Sequence, residues 1–358
     1  MLDLDAPGRF RSLDPKGMLA SIAGLPQQCE DAWRKVRHLD LPGEHHHASK
    51  MVIVGMGGSA IGADLLRTLV EADCPIPIFV HRNYMLPAFV DKRTLVIVCS
   101  YSGNTEEALF GFEDALRRGA PVLSITTGGE LEHRASQHGL PVWSYHYPTQ
   151  PRAAVGYSLM YLLGVLQHLG LIQDKSVDVA EAISVMRQWQ MEVGASVPVE
   201  QNAAKSLAQK VHGRLPVVYA AEHLSEVARR WKGQFNENSK SWAVFDTLPE
   251  LDHNTVVGYG LPAALAKLVH LVMLTSPLLH PRVLLRFDIT RALLGRDGYG
   301  HDTVEARGRS ALAQVLSLVH FGDYVSYYLA MLNAVDPWSI GNIEFVKDRL
   351  RSSPAIEA

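Results

Sequence analysis

Between positions 51 and 144 the chain alternates short, unbroken apolar runs with stretches of helical spacing. The runs are Met51–Val54, Ile76–Val80, Thr94–Cys99, Pro121–Thr126 and Leu140–Ser144. Runs of this kind suit strands covered on both faces. Between them, Ala60–Glu71 places Ile61, Leu65, Leu66 and Leu69 at helical intervals, and Thr105–Arg118 reads as a second helix. Strands that alternate with helices predict a parallel sheet of βαβ units. Ligands of such a sheet are expected at the C-terminal ends of its strands.

Further along, Ala153–Leu169 reads as an apolar helix, and Val177–Glu192 and Val199–His212 as linking helices. A second unit opens with a strand at Leu215–Tyr219. A helix follows, with Leu224, Val227, Ala228, Trp231 and Phe235 on one face. Val256–Tyr259 and Val283–Phe287 read as strands, and Leu312–Leu332 as a closing helix. The halves are similar in size and both begin strand-then-helix, which predicts a duplicated α/β architecture. The expected organisation is a helical arm over 1–48, a first α/β unit over 49–174, linking helices over 175–213 and a second unit over 214–358 with C-terminal helices.

Composition narrows the classes. A net charge of -3 over 358 residues gives no electrostatic case for nucleic acid or an anionic membrane, so neither partner is expected. Three cysteines, Cys29, Cys74 and Cys99, do not make a disulfide framework, and without a CxxC pair no thiolate zinc site is expected. His45, His46 and His47 read as an exposed loop, so no metal is expected. The N-terminus carries acids and no long apolar run, unlike a signal peptide. Leu261–Leu279 holds Lys267, His270 and Pro277. Ala311–Leu332 holds Gln314, His320 and Asp323. Both read as buried helices rather than membrane spans, and a cytoplasmic location is expected.

Two loops carry candidate chemistry. Gly55–Gly62 contains Gly57, Gly58 and Ser59 between a strand and a helix. Its glycines let the backbone approach an anion, and the helix offers free N–H groups. A dinucleotide site would want an acid at the end of the second strand, where the chain has His81, Arg82 and Asn83. No P-loop motif occurs, and no cofactor is expected. The second loop, Ser100–Thr105, brings Ser100, Ser102 and Thr105 to one helix start as neutral donors for a phosphate. Its alternative is plain capping, with Asn104 as N-cap and Glu107 as partner. A third turn, Thr126–Gly129, follows the next strand.

VGMGGSA followed by CSYSGNTEE resembles the SIS (sugar isomerase) domain. Residues 151–157, 236–240, 250–254 and 328–347 extend the resemblance to the bifunctional phosphoglucose/phosphomannose isomerases. The resemblance implies two SIS subdomains, each a parallel sheet in flavodoxin-like order flanked by helices. It implies a homodimer with sites at the subunit interface and a phosphorylated hexose as substrate. The implied reaction converts glucose 6-phosphate, and mannose 6-phosphate, to fructose 6-phosphate through a cis-enediol. Carried over residue by residue, Gly58, Ser59, Ser100, Ser102 and Thr105 hold the phosphate and Arg152 lies beside the reacting carbons. Glu237 is the base, with His253 of the other subunit and Lys347 assisting ring opening. The turn Asp336-Pro337-Trp338-Ser339 departs from the family pattern, which bears on discrimination between sugars.

The residue types suit that chemistry. A histidine exchanges protons near neutral pH, a carboxylate can take a weakly acidic C2 proton, and a fixed guanidinium lowers the energy of an enediolate. Two other readings remain open from residues alone: a non-catalytic phosphosugar sensor and a nicotinamide oxidoreductase.

Overall fold

A computed structural model, describing residues 3–352, contains two parallel sheets. The first comprises β1 (Lys50–Val54), β2 (Ile78–His81), β3 (Thr94–Ser100), β4 (Val122–Thr126) and β5 (Val142–Ser144) in the order β2-β1-β3-β4-β5. The second comprises β6 (Leu215–Ala221), β7 (Val244–Leu248), β8 (Val269–Thr275) and β9 (Gly300–Glu305) in the order β7-β6-β8-β9. The expected flavodoxin-like order is present in the first sheet, and the second repeats its first four places.

The N-terminal segment forms α1 (Phe10–Leu13), α2 (Met18–Ala23) and α3 (Leu25–Val36). In the first unit α4 (Gly57–Leu69) follows β1, α5 (Glu106–Arg117) follows β3, α6 (Gly129–Gln137) follows β4 and α7 (Val155–His168) follows β5. Two helices, α8 (Ser176–Val193) and α9 (Ala203–Val211), lead to the second sheet. There α10 (Ser225–Glu237) follows β6, and the short α11 (Leu265–Leu268) precedes β8. Then come α12 (Pro281–Arg296), α13 (Ala311–Leu332) and α14 (Gly341–Ser352).

Alternation within the strands explains the layers. In β1, Met51 and Ile53 face the large central core, while Val52 and Val54 face a smaller one roofed by Ala108, Phe112 and Leu131. In the second sheet Val218, Ala220, Val272 and Leu274 join the central core, and Tyr219, Leu271 and Met273 pack beneath Phe287 and Leu294 of α12. The central core therefore lies between the sheets. Helix α13 runs through it with its apolar window wholly buried.

Three sequence expectations are corrected. Val283–Phe287 is part of α12: Val283, Phe287, Thr290 and Leu294 are its buried residues, a helical spacing that a five-residue window cannot display. Val256–Tyr259 lies in the 3-10 turn Thr255–Gly260, where Val257 is exposed and Asn254 Oδ1 accepts the Thr255 N–H. Leu261–Leu279 is not one helix. It holds α11 and then β8, which is buried along its length between β6 and β9. Two strands escaped the sequence reading, β7 and β9. They are the edges of the second sheet, only partly buried and correspondingly polar.

Candidate active site

The register of β1 on β3 sets Val54 beside Val98, so the loops after both strands leave the sheet at the same end. Helices α4 and α5 start there, and neither has a side-chain hydrogen bond at its N-cap. Their first-turn N–H groups remain available to an anion. Gly58, Ser59 and Ser100 line a small recess with Tyr101, Pro151 and Ala154. The Tyr101 N–H donates to Ser59 Oγ at 3.0 Å, tying the first loop to the second. Ser100 Oγ donates to Thr105 Oγ1 at 3.1 Å. Ser102 is exposed at the loop tip, where its Oγ accepts the Asn104 N–H at 3.2 Å.

The capping alternative changes accordingly. The N-cap of α5 is Thr105, not Asn104, and its hydroxyl is turned to Ser100. Asn104 Oδ1 instead accepts the Glu130 N–H, and Thr127 Oγ1 donates to Tyr101 O at 2.6 Å. The third turn thus braces the second loop. Gly103, at φ +67°, permits the approach, because a Cβ there would overlap Gly128 O.

Arg152 lies in the 3-10 turn Pro151–Ala154, against the first loop. A Cβ on Gly58 would fall 2.6 Å from the backbone N of Arg152, so only glycine allows this approach. The Arg152 side chain is 2% exposed. Its Nε donates to Asn238 Oδ1 at 2.8 Å, and its terminal nitrogens to Glu237 Oε2 at 3.3 Å and Pro337 O at 2.6 Å. Burial works against its charge and lowers its pKa, while the Glu237 carboxylate opposes that shift. Glu237 is the last residue of α10 and is half-buried. Its Oε1 has no hydrogen-bond partner among the described residues, which leaves an oxygen able to accept a proton.

A buried polar network holds this pair. Arg230 donates to Arg152 O at 3.0 Å and to Asp323 Oδ2 at 2.6 Å, and Gln234 donates to Asp323 Oδ1 at 2.8 Å. Asn238 Nδ2 donates to Ser326 Oγ at 3.0 Å. Burial raises the Asp323 pKa, opposed by Arg230. Sequence reasoning did not assign Arg230, Gln234, Asp323 or Ser326 to the site. A signal existed: acids and amides within an otherwise apolar helix need partners. Asp323 had served only as an argument against a membrane span.

His253 and Lys347 are not brought to this cluster within the chain. His253 ends the turn Glu250–His253, is exposed, and makes no side-chain hydrogen bond or ion pair among the described residues. Helix α10 carries the chain from the end of β6 back to the start of β7, whereas His253 follows the end of β7. Five strand residues separate these levels by about 16 Å. Lys347 lies on α14, none of whose residues is buried. His45, expected in an exposed loop, is buried, with His46 and His47 exposed beside it.

Comparison with known proteins adds a separate line of argument. Residues 200–350 match the family described as bacterial phospho-glucose isomerase C-terminal SIS domain. A bifunctional phosphoglucose/phosphomannose isomerase of Caldicellulosiruptor bescii is 41% identical over 93% of this chain and 98% of its own. One from Aquifex aeolicus is 39% identical over 84% of this chain and 90% of its own. Among solved structures, a hypothetical protein of Thermus thermophilus superposes with a TM-score of 0.75 at 18% identity, over 97% of this chain and 94% of that one.

Proposed function

Because the chain belongs to the family of bifunctional phosphoglucose/phosphomannose isomerases, we infer that it interconverts glucose 6-phosphate and mannose 6-phosphate with fructose 6-phosphate. The observation that carries the reading is the junction of an uncapped, hydroxyl-lined recess with a buried arginine facing a carboxylate.

In this reading Gly58, Ser59, Ser100, Ser102 and Thr105 hold the phosphate through hydroxyls and helix N–H groups. The sugar then extends past residues 151–154 toward Arg152 and Glu237. His253 and Lys347 move the protons of ring opening. Glu237 takes the C2 proton of the open aldose. The C2–H electron pair forms the C1–C2 double bond, and the aldehyde oxygen gains negative charge opposite Arg152. A proton from the C2 hydroxyl reaches that oxygen, and Glu237 returns its own proton to C1, giving the ketose. Rotation about C2–C3 in the open chain lets one carboxylate serve both C2 epimers.

The subunit arrangement follows the same reading. His253 stands at the far end of β7 from Glu237, which favours a homodimer in which each site draws His253 from the partner. Exposed Ile343, Val346 and Leu350, at helical spacing on α14, supply an apolar stripe suited to such assembly. The SIS subdomains then span 49–174 and 214–352, with 353–358 of the expected second unit outside the described residues, and the cytoplasm remains the proposed location.

NMR of fructose 6-phosphate in deuterated water tests the reaction. Aldoses should appear with deuterium at C1 or C2, and a protein that binds the sugar without isomerising it would refute the assignment. Mixing Glu237→Gln with His253→Ala subunits tests the composite site. Random hybrids should restore about a quarter of wild-type activity, because half the dimers are hybrids and half their sites are intact. Hybrids confirmed by mass spectrometry but without activity would place both groups in one chain.

A further inference from the structure

Three residues after Glu237 the backbone of Lys240 takes a left-handed conformation, φ +55°, which favours glycine. That turn folds the lysine back over the end of α10. Its Nζ donates to Glu237 O at 2.6 Å and Asn238 O at 3.4 Å, two carbonyls that the helix end leaves unpaired. The remainder of the segment is fixed independently. Asn238 is held by Arg152 and Ser326, Ser239 Oγ donates to Phe235 O at 2.6 Å, and Asn333 donates to Ser239 O at 2.8 Å. Among the described residues, Lys240 is therefore the titratable clasp on the backbone that carries Glu237.

We propose that Lys240 is a positioning residue: its protonated ammonium clamps the last turn of α10 and so fixes the Glu237 carboxylate against Arg152 in the orientation that proton transfer needs. The charged groups that face the ammonium are Glu237 at the end of its own helix, Arg152 from the turn before α7 and Asp336 from the turn after α13. Lys240 is exposed as a residue, yet its ammonium has lost part of its solvation where it folds onto α10; that loss, then the Arg152 charge, pull it down to about 8, against Asp336 and Glu237. A charge-assisted bond is roughly twice as strong as a neutral one, so the clamp loosens as the lysine deprotonates. The proposal rests on Glu237 being the base.

The test compares wild type with Lys240→Met, Lys240→Arg and Glu237→Gln, measuring kcat and KM for fructose 6-phosphate from about pH 6 to about pH 10. Lys240→Met should lower kcat on the order of ten- to a hundredfold, the scale expected of a misplaced catalytic group, with KM little changed. Wild-type kcat should fall on the alkaline side around pH 8. Lys240→Met should lack that limb, and Lys240→Arg, whose guanidinium stays charged, should keep high kcat without it. Wild-type kcat in Lys240→Met with the same limb, or a loss confined to KM, overturns the proposal. If Lys240→Met does not fold, a wild type with no limb near 8, or a Lys240→Arg that retains it, overturns it equally. Near-normal turnover in Glu237→Gln refutes the base assignment instead, while an inactive Glu237→Gln beside an unaffected Lys240→Met refutes only the clamp.

Discussion

The loops after β1 and β3 and those after β6 and β8 occupy corresponding places in two parallel sheets, yet they end differently. In the first unit the helix starts are uncapped and lined with serine and threonine hydroxyls. In the second, α10 likewise starts without a side-chain cap, but the chain fills the loop after β8 and the start of α12 with its own acceptors. The Glu222 carboxylate takes the His280 N–H at 3.1 and 3.3 Å, and His280 Nδ1 caps α12 by accepting the Arg282 N–H. Gln314 Oε1 accepts from Ser276 and pairs with His223, while its Nε2 donates to Gly308 O at 3.1 Å. Topology thus provides helix N-termini at both sheets. The proposed anion site lies at the sheet where the loops after β1 and β3 both lead into uncapped helices, whereas in the second sheet α10 is uncapped and α12 is capped.

Substitutions at the proposed site and in the filled loops of the second unit can break this comparison. The largest difference should separate Glu237→Gln from Glu222→Gln. The first removes the proposed base and should reduce turnover by about 10²–10⁴-fold, while the second should leave turnover unchanged. Steady-state isomerisation by both variants measures it, and equal losses would contradict the contrast. Next, Ser100→Ala or Thr105→Ala should weaken phosphosugar binding by roughly ten- to a hundredfold, the worth of a hydrogen bond to a charged group. Ser276→Ala, facing Gln314 instead of a ligand, should not change affinity in the same titration.

Stability should show the reverse. Gln314→Ala leaves the buried Ser276 hydroxyl and its neighbours short of partners, which costs about 1–3 kcal/mol. Denaturant unfolding should register that loss while KM stays unchanged; intact stability with impaired binding would mean the loops after β6 and β8 take ligand after all.

The smallest and broadest effect concerns α13, which serves both regions: Gln314 near one end, Asp323 and Ser326 toward the other. Between them His320 is buried, its ring bonded at 3.0 Å to Ile22 O, and burial pulls its pKa down to about 4. The unfolded chain, with an ordinary histidine, binds the proton first as pH falls. His320 therefore lowers stability progressively from about pH 6.5 to about pH 4 and has no further effect below. Replacement by Phe should flatten the dependence of stability on pH in that window, as followed by unfolding at several pH values. An unchanged slope would show that other groups dominate it.

These contrasts explain what could be read from the chain. The strands of the first sheet were legible because burial on both faces gives continuous apolar runs. Their loops were legible because glycines and hydroxyls cluster immediately after those runs. The edge strands β7 and β9 were not, since partial exposure dilutes the pattern with Asp246, Thr247, His301 and Asp302. Helix α12 was broken into a spurious strand for the opposite reason: its buried residues are too widely spaced for a short window. Motif resemblance singled out Arg152 and Glu237; it spanned Lys240 without giving it a role and did not include Arg230 or Asp323, whose placement beside the pair arises from contacts.

The sequence by itself determined the first sheet, the two glycine- and hydroxyl-rich loops and the motifs of the isomerase family, because each is carried by residues close along the chain. Only the tertiary structure decided that Arg152 meets Glu237 across 85 positions, beside Asn238 and the turn at Pro337. It alone sealed the second unit's loops with Glu222 and Gln314 and left His253 and Lys347 facing outward. The physical reason is that periodicity and turn chemistry record local burial and backbone freedom. Partnership between distant polar groups depends on how the two sheets and α13 pack, and no short window of sequence contains that information.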